Sequence, residues 1–497
     1  MGQACQKIKY QRRQPELTPC YQIVQEELLT FLKDRELEGR PLPNYVIKEF
    51  DAYLKCGILA HGFLRLTCDD CKEEKLVAFS CKKRGFCPSC TGKRMTEGAA
   101  HLVDNILPIV PYRQFVVTFP FPMRYWLNTN KALFSASHKI ITDAIQQLYI
   151  QALKIPANHK PKIGIVSFTQ RFGSALNLNP HLHIIVTDGA HYRPQQPIFR
   201  KLKRLAEKQV SSLLSTITER IIIMLKHRGF LDQYGEMVEN PLMDSLFTES
   251  ESIHLATQAS LSGRIAFGPH AGQRVRRLGG GFGYYEEIPF AKGRLCYTQN
   301  GFSIHAARSI NSLDRKGLEQ LITYIARGPF SNDRLTLVEN RQVKVALKRP
   351  FSDGSTHLLM TYSEFMEKLA CLIPPPRSHL VRWSGSFAPN SKYRRKIILN
   401  PANKKGFNFE NDNKGPRNYS WAKLLARVFG VDVLSCACGG AFSPKGALKD
   451  PLEIERYLRH VGVDDRPPAR APPRRNVCEL EFTESDEYEG EAVIYLD

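Results

Sequence analysis

The chain has 497 residues, enough for two to four domains, and its hydrophobic fraction of 42% is that of a globular protein. Its net charge of +21 argues for a polyanionic partner, because so much positive charge repels itself in a compact chain. No apolar run is long enough to span a membrane and no basic amphipathic helix favours a membrane surface, so nucleic acid is the predicted partner. The first residues lack the apolar core of a secretory signal, which predicts a cytoplasmic protein.

The amino-terminal part of the chain predicts helices followed by a metal site. Residues 1–60 are polar with a helical period that is clearest over residues 21–32 and 45–54. Five of the 13 cysteines then fall within residues 68–90, a clustering that favours metal over disulfides in a reducing compartment. Two Cys-x-x-Cys pairs flank a strand candidate at residues 75–79, so a hairpin would bring the pairs together around a tetrahedral zinc ion.

We therefore predict a zinc ribbon, and a set of free thiols is the alternative interpretation. The simplest ligand set is Cys68, Cys71, Cys87 and Cys90, and Cys81 either replaces one of them or is a small buried residue. Basic residues surround the thiolates and predict contacts with DNA phosphates, although a solvated basic face would have the same composition. These basic residues are Lys82, Lys83, Arg84, Lys93 and Arg94.

Two histidines on a predicted strand are the first catalytic candidates. Residues 184–187 are β-branched, so His181 and His183 precede them on one strand. Residues i and i+2 of a strand point to the same face, and both imidazoles could therefore reach one ion. A second strand at residues 163–170 precedes a turn-rich connection, and a hairpin would bring the side-chain oxygen of Gln170 close to the imidazoles. Histidines that only form hydrogen bonds within a sheet are the alternative interpretation.

A predicted helix over residues 313–326 carries a further candidate. Four apolar residues form a stripe on one helix face, namely Leu318, Leu321, Ile322 and Ile325. Tyr324 lies at the shoulder of this stripe, so a helix packed on the sheet could direct its phenol toward the metal. A tyrosine at the edge of a core is the alternative interpretation.

The carboxy-terminal part of the chain is first basic and then acidic. Residues 392–417 interleave cations, including Arg394 and Arg395, with aromatic side chains. This composition suits single-stranded DNA and equally a flexible linker. Residues 446–497 contain a Pro/Arg linker and an acidic tail, which we expect to be disordered.

In chain order, these motifs resemble those of the insertion-sequence-ninety-one family of transposases, in its single-tyrosine, common-region branch. The segment from Gln170 to His183 resembles the metal-binding motif of the HUH endonucleases, and the segment from Tyr324 to Leu335 resembles the family's catalytic-tyrosine motif. The main branch carries a second tyrosine four residues after the first, where this chain has Gly328. Similar segments elsewhere are residues 80–90, 347–357, 372–377 and 432–440. The last of these is one residue shorter than the family's Cys-x-x-Cys-Gly-Gly knuckle, which argues against a second zinc ion.

The resemblance implies an α+β fold with an HUH endonuclease-like antiparallel sheet and helices on one face. A zinc ribbon would precede the sheet and an irregular basic carboxy-terminal region would follow it. The strand candidate at residues 112–120 and the long helix predicted at 135–153 fit such a sheet. The implied domains are a helical amino-terminal region (1–60), a DNA-binding zinc ribbon (61–100), an HUH nuclease domain (101–345), a basic DNA-binding region (346–445) and the linker and tail (446–497).

The resemblance also implies a metal-dependent transposase that cleaves and rejoins single-stranded DNA in rolling-circle transposition. Tyr324 would form a 5′-phosphotyrosine, and His181, His183 and Gln170 would hold Mg²⁺ or Mn²⁺, while the ribbon holds structural Zn²⁺. Residues of these motifs that would contact DNA are Arg171, Arg327 and Arg334.

The implied partners are the single-stranded ends of a mobile element and host replication or helicase factors, at the bacterial nucleoid. Host factors are expected because the chain lacks the glycine-rich loop that would bind ATP phosphates. Two alternatives stand beside this hypothesis, a catalytically inactive zinc-dependent DNA-binding protein and an HUH replication or mobilisation relaxase.

Overall fold

The computed structural model describes residues 13–238, 250–279, 293–399 and 436–474, and the fold is given for these residues. Most of the predicted basic stretch at 392–417 and the acidic run after residue 478 lie outside them. The helices are α1 (Pro19–Leu37), α2 (Asn44–Leu54), α3 (Pro88–His101), α4 (Phe121–Thr129), α5 (Lys131–Leu153), α6 (Glu207–His227), α7 (Glu251–Leu261), α8 (Arg315–Ile325), α9 (Tyr362–Leu372), α10 (Arg394–Ile397) and α11 (Pro451–His460). None of these helices is both long enough and apolar enough to cross a membrane.

The strands of the described ranges form four sheets. They are β1 (Phe63–Cys68), β2 (Glu74–Ala78), β3 (Tyr112–Thr118), β4 (Gly164–Phe172), β5 (Leu178–Thr187), β6 (Gly189–Tyr192), β7 (Ile198–Lys201), β8 (Arg276–Leu278), β9 (Cys296–Gln299), β10 (Phe302–His305), β11 (Ser309–Ile310), β12 (Leu335–Val338), β13 (Gln342–Ala346), β14 (His357–Thr361), β15 (Val381–Gly385) and β16 (Phe442–Leu448). The largest is a seven-stranded antiparallel sheet with the order β15-β4-β5-β3-β10-β9, in which β11 also pairs with β3. The others have the orders β16-β1-β2, β12-β13-β14-β8 and β6-β7.

Strand β5 lies inside the large sheet because its side chains are apolar or β-branched on both faces. Its residues from Leu182 to Thr187 are all buried, and β3 and β4 flank it. Pro180 has no N–H to donate to a neighbouring strand, and it falls where the pairing with β4 is irregular. The strand can therefore carry a proline without leaving a ladder donor unpaired.

Helices cover both faces of the large sheet, although the sequence predicts them on one face. The long helices α5 and α6 pack on one face, against Phe115, Leu182 and Ile184. Helices α3 and α8 pack on the opposite face, against Val166, Phe168 and Ile185. The α+β prediction is confirmed, and the second helical layer arises because α8 has its own apolar stripe to bury.

The sheet β16-β1-β2 joins the two ends of the described chain. Strand β16 pairs antiparallel with β1, and Leu448 lies opposite Phe63. Helix α11 follows and buries Ile454 and Leu458 against Phe63 and Leu59. Residues 446–460 therefore form a strand end and a helix where the sequence predicts a disordered linker. The Pro/Arg segment that follows has no helix or strand, but Arg470 pairs with Asp51 and the N–H of Ala471 binds the carbonyl of Gln25.

The carboxy-terminal region predicted at 346–445 is likewise not an irregular appendage over its described residues. Strand β15 pairs with β4 and forms one edge of the large sheet. Helix α9 packs on the amino-terminal helix α1 and on α7 in a shared core. The predicted helical region at 1–60 is therefore packed against elements that lie more than 200 residues later in the chain.

Candidate active site and metal centres

The two histidines of β5 share the face of the large sheet on which α8 packs. Their ring centroids are 5.0 Å apart, and His183 is buried while His181 is partly exposed. Because directly opposite residues of an antiparallel pair share a face, Gln170 stands beside His181 and Phe168 beside His183. The structure thus gathers the two imidazoles and the predicted amide on one surface.

Hydrogen bonds to Nδ1 orient both rings. The Nδ1 atom of His181 is 2.7 Å from the carbonyl oxygen of Asn179, and that of His183 is 2.9 Å from Nε2 of Gln114 on β3. Burial lowers the pKa of His181, and burial together with the nearby His181 and Arg327 lowers the pKa of His183 to about 3. Both rings are therefore neutral at physiological pH, which is the form that binds metal.

Gln170 connects the histidine face to α8. Its side-chain Nε2 donates a hydrogen bond to the carbonyl oxygen of Ile325, at a distance of 2.7 Å. Asp314 begins α8 by accepting the N–H of Gly317, and the stripe predicted from the sequence is buried against the sheet. The last turn of α8 is consequently fixed beside the histidines, with the Oε1 atom of Gln170 left for another partner.

Tyr324 precedes the carbonyl that Gln170 binds, and 53% of its surface is exposed. The guanidinium of Arg327 lies 4.3 Å from the centroid of its ring. A core-edge role is thus excluded for this tyrosine, because its ring lies outside the apolar stripe. At Gly328, a Cβ atom would lie 2.5 Å from Oγ1 and 2.9 Å from Cβ of Thr91 on α3, so no larger side chain fits there without a backbone shift.

Three cations cluster beyond the end of α8. Arg334 is 9% exposed and donates to the carbonyl oxygens of Ala346 and Ser174. Its Nη1 atom and the Nε atom of Arg327 are buried and have no hydrogen-bond partner within the described residues. Partial burial and these two arginines lower the pKa of Lys348 to about 8. Such a cluster of unsatisfied donors and crowded charge is suited to an anion.

A cleft of about 350 Å³ opens between α3, α8 and the end of β4. Basic side chains line it, and they come from the loop before α3, from α3 itself, from β4 and from the loop after α8. Phe168, Phe172 and Trp383 add aromatic surface, and Gln170 reaches its wall. The lining arginines are Arg84, Arg94, Arg171 and Arg327.

Several predicted DNA contacts are engaged within the protein. Arg171 donates to Oδ1 of Asn128 and to the carbonyl of Ile373, and Arg94 donates to the carbonyls of Lys82 and Lys83. Arg394 donates to a backbone carbonyl and lies over Trp383. These three arginines hold loops in place. Arg94 is nevertheless exposed, as are Lys82, Arg84, Lys93 and Arg395.

The cysteines form two groups of four thiols, where the sequence predicts one group. The first group contains Cys56, Cys81, Cys87 and Cys90, and the second contains Cys68, Cys71, Cys436 and Cys438. Within each group all four sulfur atoms lie within 4.8 Å of one another. The predicted set of Cys68, Cys71, Cys87 and Cys90 is therefore divided between two sites.

The length of the hairpin explains this division. Cys68 and Cys71 lie at the turn between β1 and β2, whereas Cys81 follows the far end of β2. Five residues of extended strand span roughly 17 Å, so one ion cannot reach both ends of the hairpin. The signal that would have indicated two sites is the count of six cysteines between residues 56 and 90, which exceeds one tetrahedral set.

Three residues of the site were not predicted from the sequence. Cys56 precedes β1, and the N–H of Gly57 binds the carbonyl of Phe79 at the same end of the hairpin. Gln114 lies in the predicted strand at 112–120 and Lys348 in the family-like segment at 347–357, but neither pattern indicates a role at this site. Only the pairing of β3 with β5 and the position of β13 bring them there. Contacts of this kind depend on tertiary structure and leave no local pattern.

The chain matches two protein-family models. Residues 164–395 match the family described as "Putative transposase", and residues 23–119 match the family described as "Transposase zinc-binding domain". The transposase for insertion sequence element IS801 from Pseudomonas savastanoi pv. phaseolicola is 29% identical over 155 residues. The aligned part is 31% of this chain and 36% of that relative, so the chain spans about a third of the relative's length. No solved structure matches the chain.

These matches fall on the sites described above. The first cysteine group lies within the zinc-binding match, and the histidine strand and Tyr324 lie within the other. The molecule is thus a transposase-class protein with a zinc-binding domain. The chain belongs to the insertion-sequence-ninety-one family of transposases, which confirms the resemblance seen in the sequence.

Proposed function

We propose that this transposase cleaves and rejoins single-stranded DNA in rolling-circle transposition, through a 5′-phosphotyrosine on Tyr324. The observation that carries the proposal is the hydrogen bond from Gln170 to Ile325. This bond holds the last turn of α8, which carries the exposed Tyr324, against one face of the large sheet. The same face carries the neutral imidazoles of His181 and His183. A nucleophile and a candidate metal site on adjacent rigid elements are what a phosphodiester cleavage of this kind requires.

The donor set fits a divalent ion. The Nε2 atoms of His181 and His183 and the Oε1 atom of Gln170 are the proposed ligands, and Asn179 and Gln114 hold the opposite ring nitrogens. Magnesium or manganese bound there would polarise the scissile phosphate as a Lewis acid. If His183 binds the ion through Nε2, its Nδ1 carries the proton and donates a hydrogen bond to Gln114. The side-chain amide of Gln114 then presents its oxygen, which requires only that its oxygen and nitrogen exchange places by a flip.

In the proposed reaction, the Tyr324 oxygen loses its proton and attacks phosphorus. A Tyr–O–P bond forms, the bond from phosphorus to the 3′-oxygen breaks, and the leaving 3′-oxygen takes up a proton. The covalent link preserves the phosphodiester, so rejoining by a 3′-hydroxyl needs no nucleotide. Arg327 places a positive charge beside the ring of Tyr324, where the phosphate would approach.

A single nucleophile in each chain is supported by the packing at Gly328. A tyrosine at this position would have its Cβ in contact with Thr91, which itself hydrogen-bonds the carbonyl of Cys87 in the first cysteine group. The second step of strand transfer is therefore proposed to use a 3′-hydroxyl or a second protein copy. The turn after α8 has Gly328 where a second tyrosine would stand, so it supplies no second nucleophile.

DNA binding is proposed along the cleft and the cation cluster. The unsatisfied nitrogens of Arg327 and Arg334 and the amine of Lys348 would bind phosphate oxygens, because buried donors without partners favour an anion. The aromatic surface of Phe168, Phe172 and Trp383 would allow bases to stack. The substrate is proposed to be the single-stranded end of the mobile element, opened by host replication or helicase factors at the nucleoid in the cytoplasm.

The experiment is to incubate the purified full-length protein with labelled single-stranded oligonucleotides from the element's ends, with manganese, magnesium or chelator. The products are resolved on a denaturing protein gel. We expect a covalent protein–DNA adduct that requires the metal and is lost in Tyr324→Phe and in His183→Ala. The matched control is Tyr234→Phe, because Tyr234 is an equally simple exposed tyrosine, with 81% of its surface accessible.

Two outcomes would overturn the proposal. An adduct that persists in Tyr324→Phe would assign the nucleophile to another residue. Absence of any adduct, together with salt-sensitive binding of the same DNA, would instead indicate a DNA-binding protein without catalysis. Zinc content and circular dichroism of each variant establish that a lost adduct does not reflect a lost fold.

A further inference from the structure

The second cysteine group has the geometry of a tetrahedral thiolate site. The Sγ atoms of Cys68 and Cys438 are 3.5 Å apart, as are those of Cys71 and Cys436. Zinc–sulfur bonds of about 2.3 Å in a tetrahedron separate the sulfurs by roughly 3.8 Å. The four sulfurs therefore need only small adjustments to surround one ion.

Two tight turns present these thiols, one from each end of the chain. In the first turn the N–H of Cys68 binds the carbonyl of Glu73, and Lys72 has a positive φ of 63°. In the second turn the N–H of Cys436 binds the carbonyl of Gly440, and the N–H of Gly440 approaches Sγ of Cys438 at 3.4 Å. A Cys-x-Cys spacing is therefore enough to bring both Cys436 and Cys438 to the sulfurs of Cys68 and Cys71, because the turn after Cys438 folds back toward them.

Gly440 is in close contact with the turn between β1 and β2. A Cβ atom there would lie 2.9 Å from Sγ of Cys68 and 2.5 Å from a carboxylate oxygen of Asp70. The pairing of β1 with β16 begins at once, with Cys68 opposite Phe442, and the N–H of Asp69 binds the carbonyl of Ala441. Backbone contacts thus hold the two turns together independently of any ion.

We propose that Cys68, Cys71, Cys436 and Cys438 bind a second structural zinc ion, which fastens the hairpin to the carboxy-terminal strand. This site lies only partly within residues 23–119, the range of the zinc-binding domain, because two of its ligands come from beyond it. The proposal does not depend on the nuclease mechanism. It corrects the expectation that a knuckle shortened by one residue has lost its metal.

The two zinc sites differ in their access to solvent. In the second group Cys71 and Cys438 are exposed, whereas the first group contains three buried cysteines and one partly buried. A chelator should therefore remove the second ion first. Because β16 and α11 are otherwise attached by one strand pairing, a small apolar cluster and a few polar contacts, such as those of Tyr457 with Glu74 and of Ser443 with Asp69, loss of this ion should loosen residues 436–460.

The experiment measures the zinc content of the purified full-length protein by elemental analysis. We expect two zinc ions per chain in the unaltered protein and one in Cys436→Ser/Cys438→Ser. The matched control is Cys296→Ser, a partly buried cysteine outside both groups, which should retain two ions. A chelator titration should release zinc in two phases, and the double variant should lack the faster phase.

Gly440→Ala provides a second variant that keeps every thiol. Its added methyl group should crowd Sγ of Cys68 and accelerate release in the fast phase by at least tenfold, while the slow phase is unchanged. Limited proteolysis after the fast phase should cut within residues 436–460. One zinc ion per chain in the unaltered protein, or two in the double serine variant, would overturn the proposal.

Discussion

The imidazole of His183 is held by an amide rather than by a carboxylate. A carboxylate beside a histidine stabilises the imidazolium and raises the pKa of the ring. Gln114 carries no charge and offers both a donor and an acceptor, so it can partner the neutral ring in either tautomer. With burial lowering the pKa of the ring as well, His183 stays neutral across the physiological pH range, which is the form that the proposed metal site requires.

His138 on α5 should make the stability of the protein depend on pH. It is 6% exposed, and burial, with a smaller contribution from the charge of Arg382, lowers its pKa to about 4. The unfolded chain binds the proton near pH 6.5, so the stability from this residue is complete above pH 6.5 and is lost as the pH falls toward 4. Between pH 7 and pH 5 the unaltered protein should lose about 2 kcal/mol of its unfolding free energy because of His138. The His138→Gln variant should not show this part of the loss.

The measurement is urea unfolding of both proteins at pH 7 and pH 5. Acid effects on the zinc sites and on other histidines occur in both proteins and cancel in the difference. The same substitution at an exposed histidine of α6, His227→Gln, is the matched control. Identical pH dependence in His138→Gln and the unaltered protein would contradict the assignment.

One buried carboxylate links helix α5 to the large sheet, in addition to the apolar core between them. Asp188 follows β5 and accepts two hydrogen bonds from Arg113 on β3 and one from the Tyr149 hydroxyl on α5. Asp188→Ala should lower the free energy of unfolding by about 3–5 kcal/mol, because it leaves a nearly buried guanidinium without its partner. Denaturant unfolding with the same probe for all variants measures the loss.

An ion pair on the same helix serves as the reference. Lys139 and Asp143 are paired on the exposed side of α5, so Asp143→Ala should change the free energy of unfolding by less than about 1 kcal/mol. The double variant Asp188→Leu/Arg113→Met should recover part of the stability lost in Asp188→Ala. If Asp188→Ala costs no more than Asp143→Ala, the carboxylate does not anchor the helix.

Local elements are what the sequence predicts best. The helical periods at 21–32, 45–54 and 135–153 and the strand at 112–120 correspond to α1, α2, α5 and β3 within a few residues. Period-two alternation also placed both histidines on one face, as the structure has them. These features depend on neighbours in the chain, which the sequence contains directly.

Pairings between distant segments could not be predicted. No local signal places β16 beside β1 or β15 beside β4, because any edge strand of suitable pattern could fill either place. The cysteines were grouped wrongly for the same reason, since two thiols of the second group come from residues 436 and 438. Gln114 and Lys348 join the site only through such long-range packing.

For the whole molecule, the charge of +21 should appear as salt-dependent binding of single-stranded DNA. Each phosphate neutralised on a single strand contributes about 0.7 to the slope of log affinity against log salt. Arg327→Gln and Lys348→Gln should each reduce the magnitude of this slope by about 0.7, since both lie in the cation cluster beside Tyr324. Fluorescence anisotropy over a range of salt concentrations measures the slope.

Arg220→Gln is the matched control for charge alone. Arg220 is exposed on α6, which covers the face of the sheet away from the histidines. Its replacement removes one positive charge but should leave the slope unchanged. Equal effects of all three substitutions would indicate a general attraction by net charge without a defined path for the strand.

The pairing of β1 with β16 also sets an order of events during translation. The first cysteine group is complete once residue 90 has been made, whereas Cys436 is made 365 residues after its neighbour Cys71. At about 5–20 residues per second, the ribosome takes on the order of 20 to 70 s to cover that distance. Throughout this interval β1 presents an unpaired edge, which β16 alone closes. A nascent chain that stopped after α8 but before β16 would carry Tyr324 and keep this edge open, so closure of the small sheet depends on translation as far as β16.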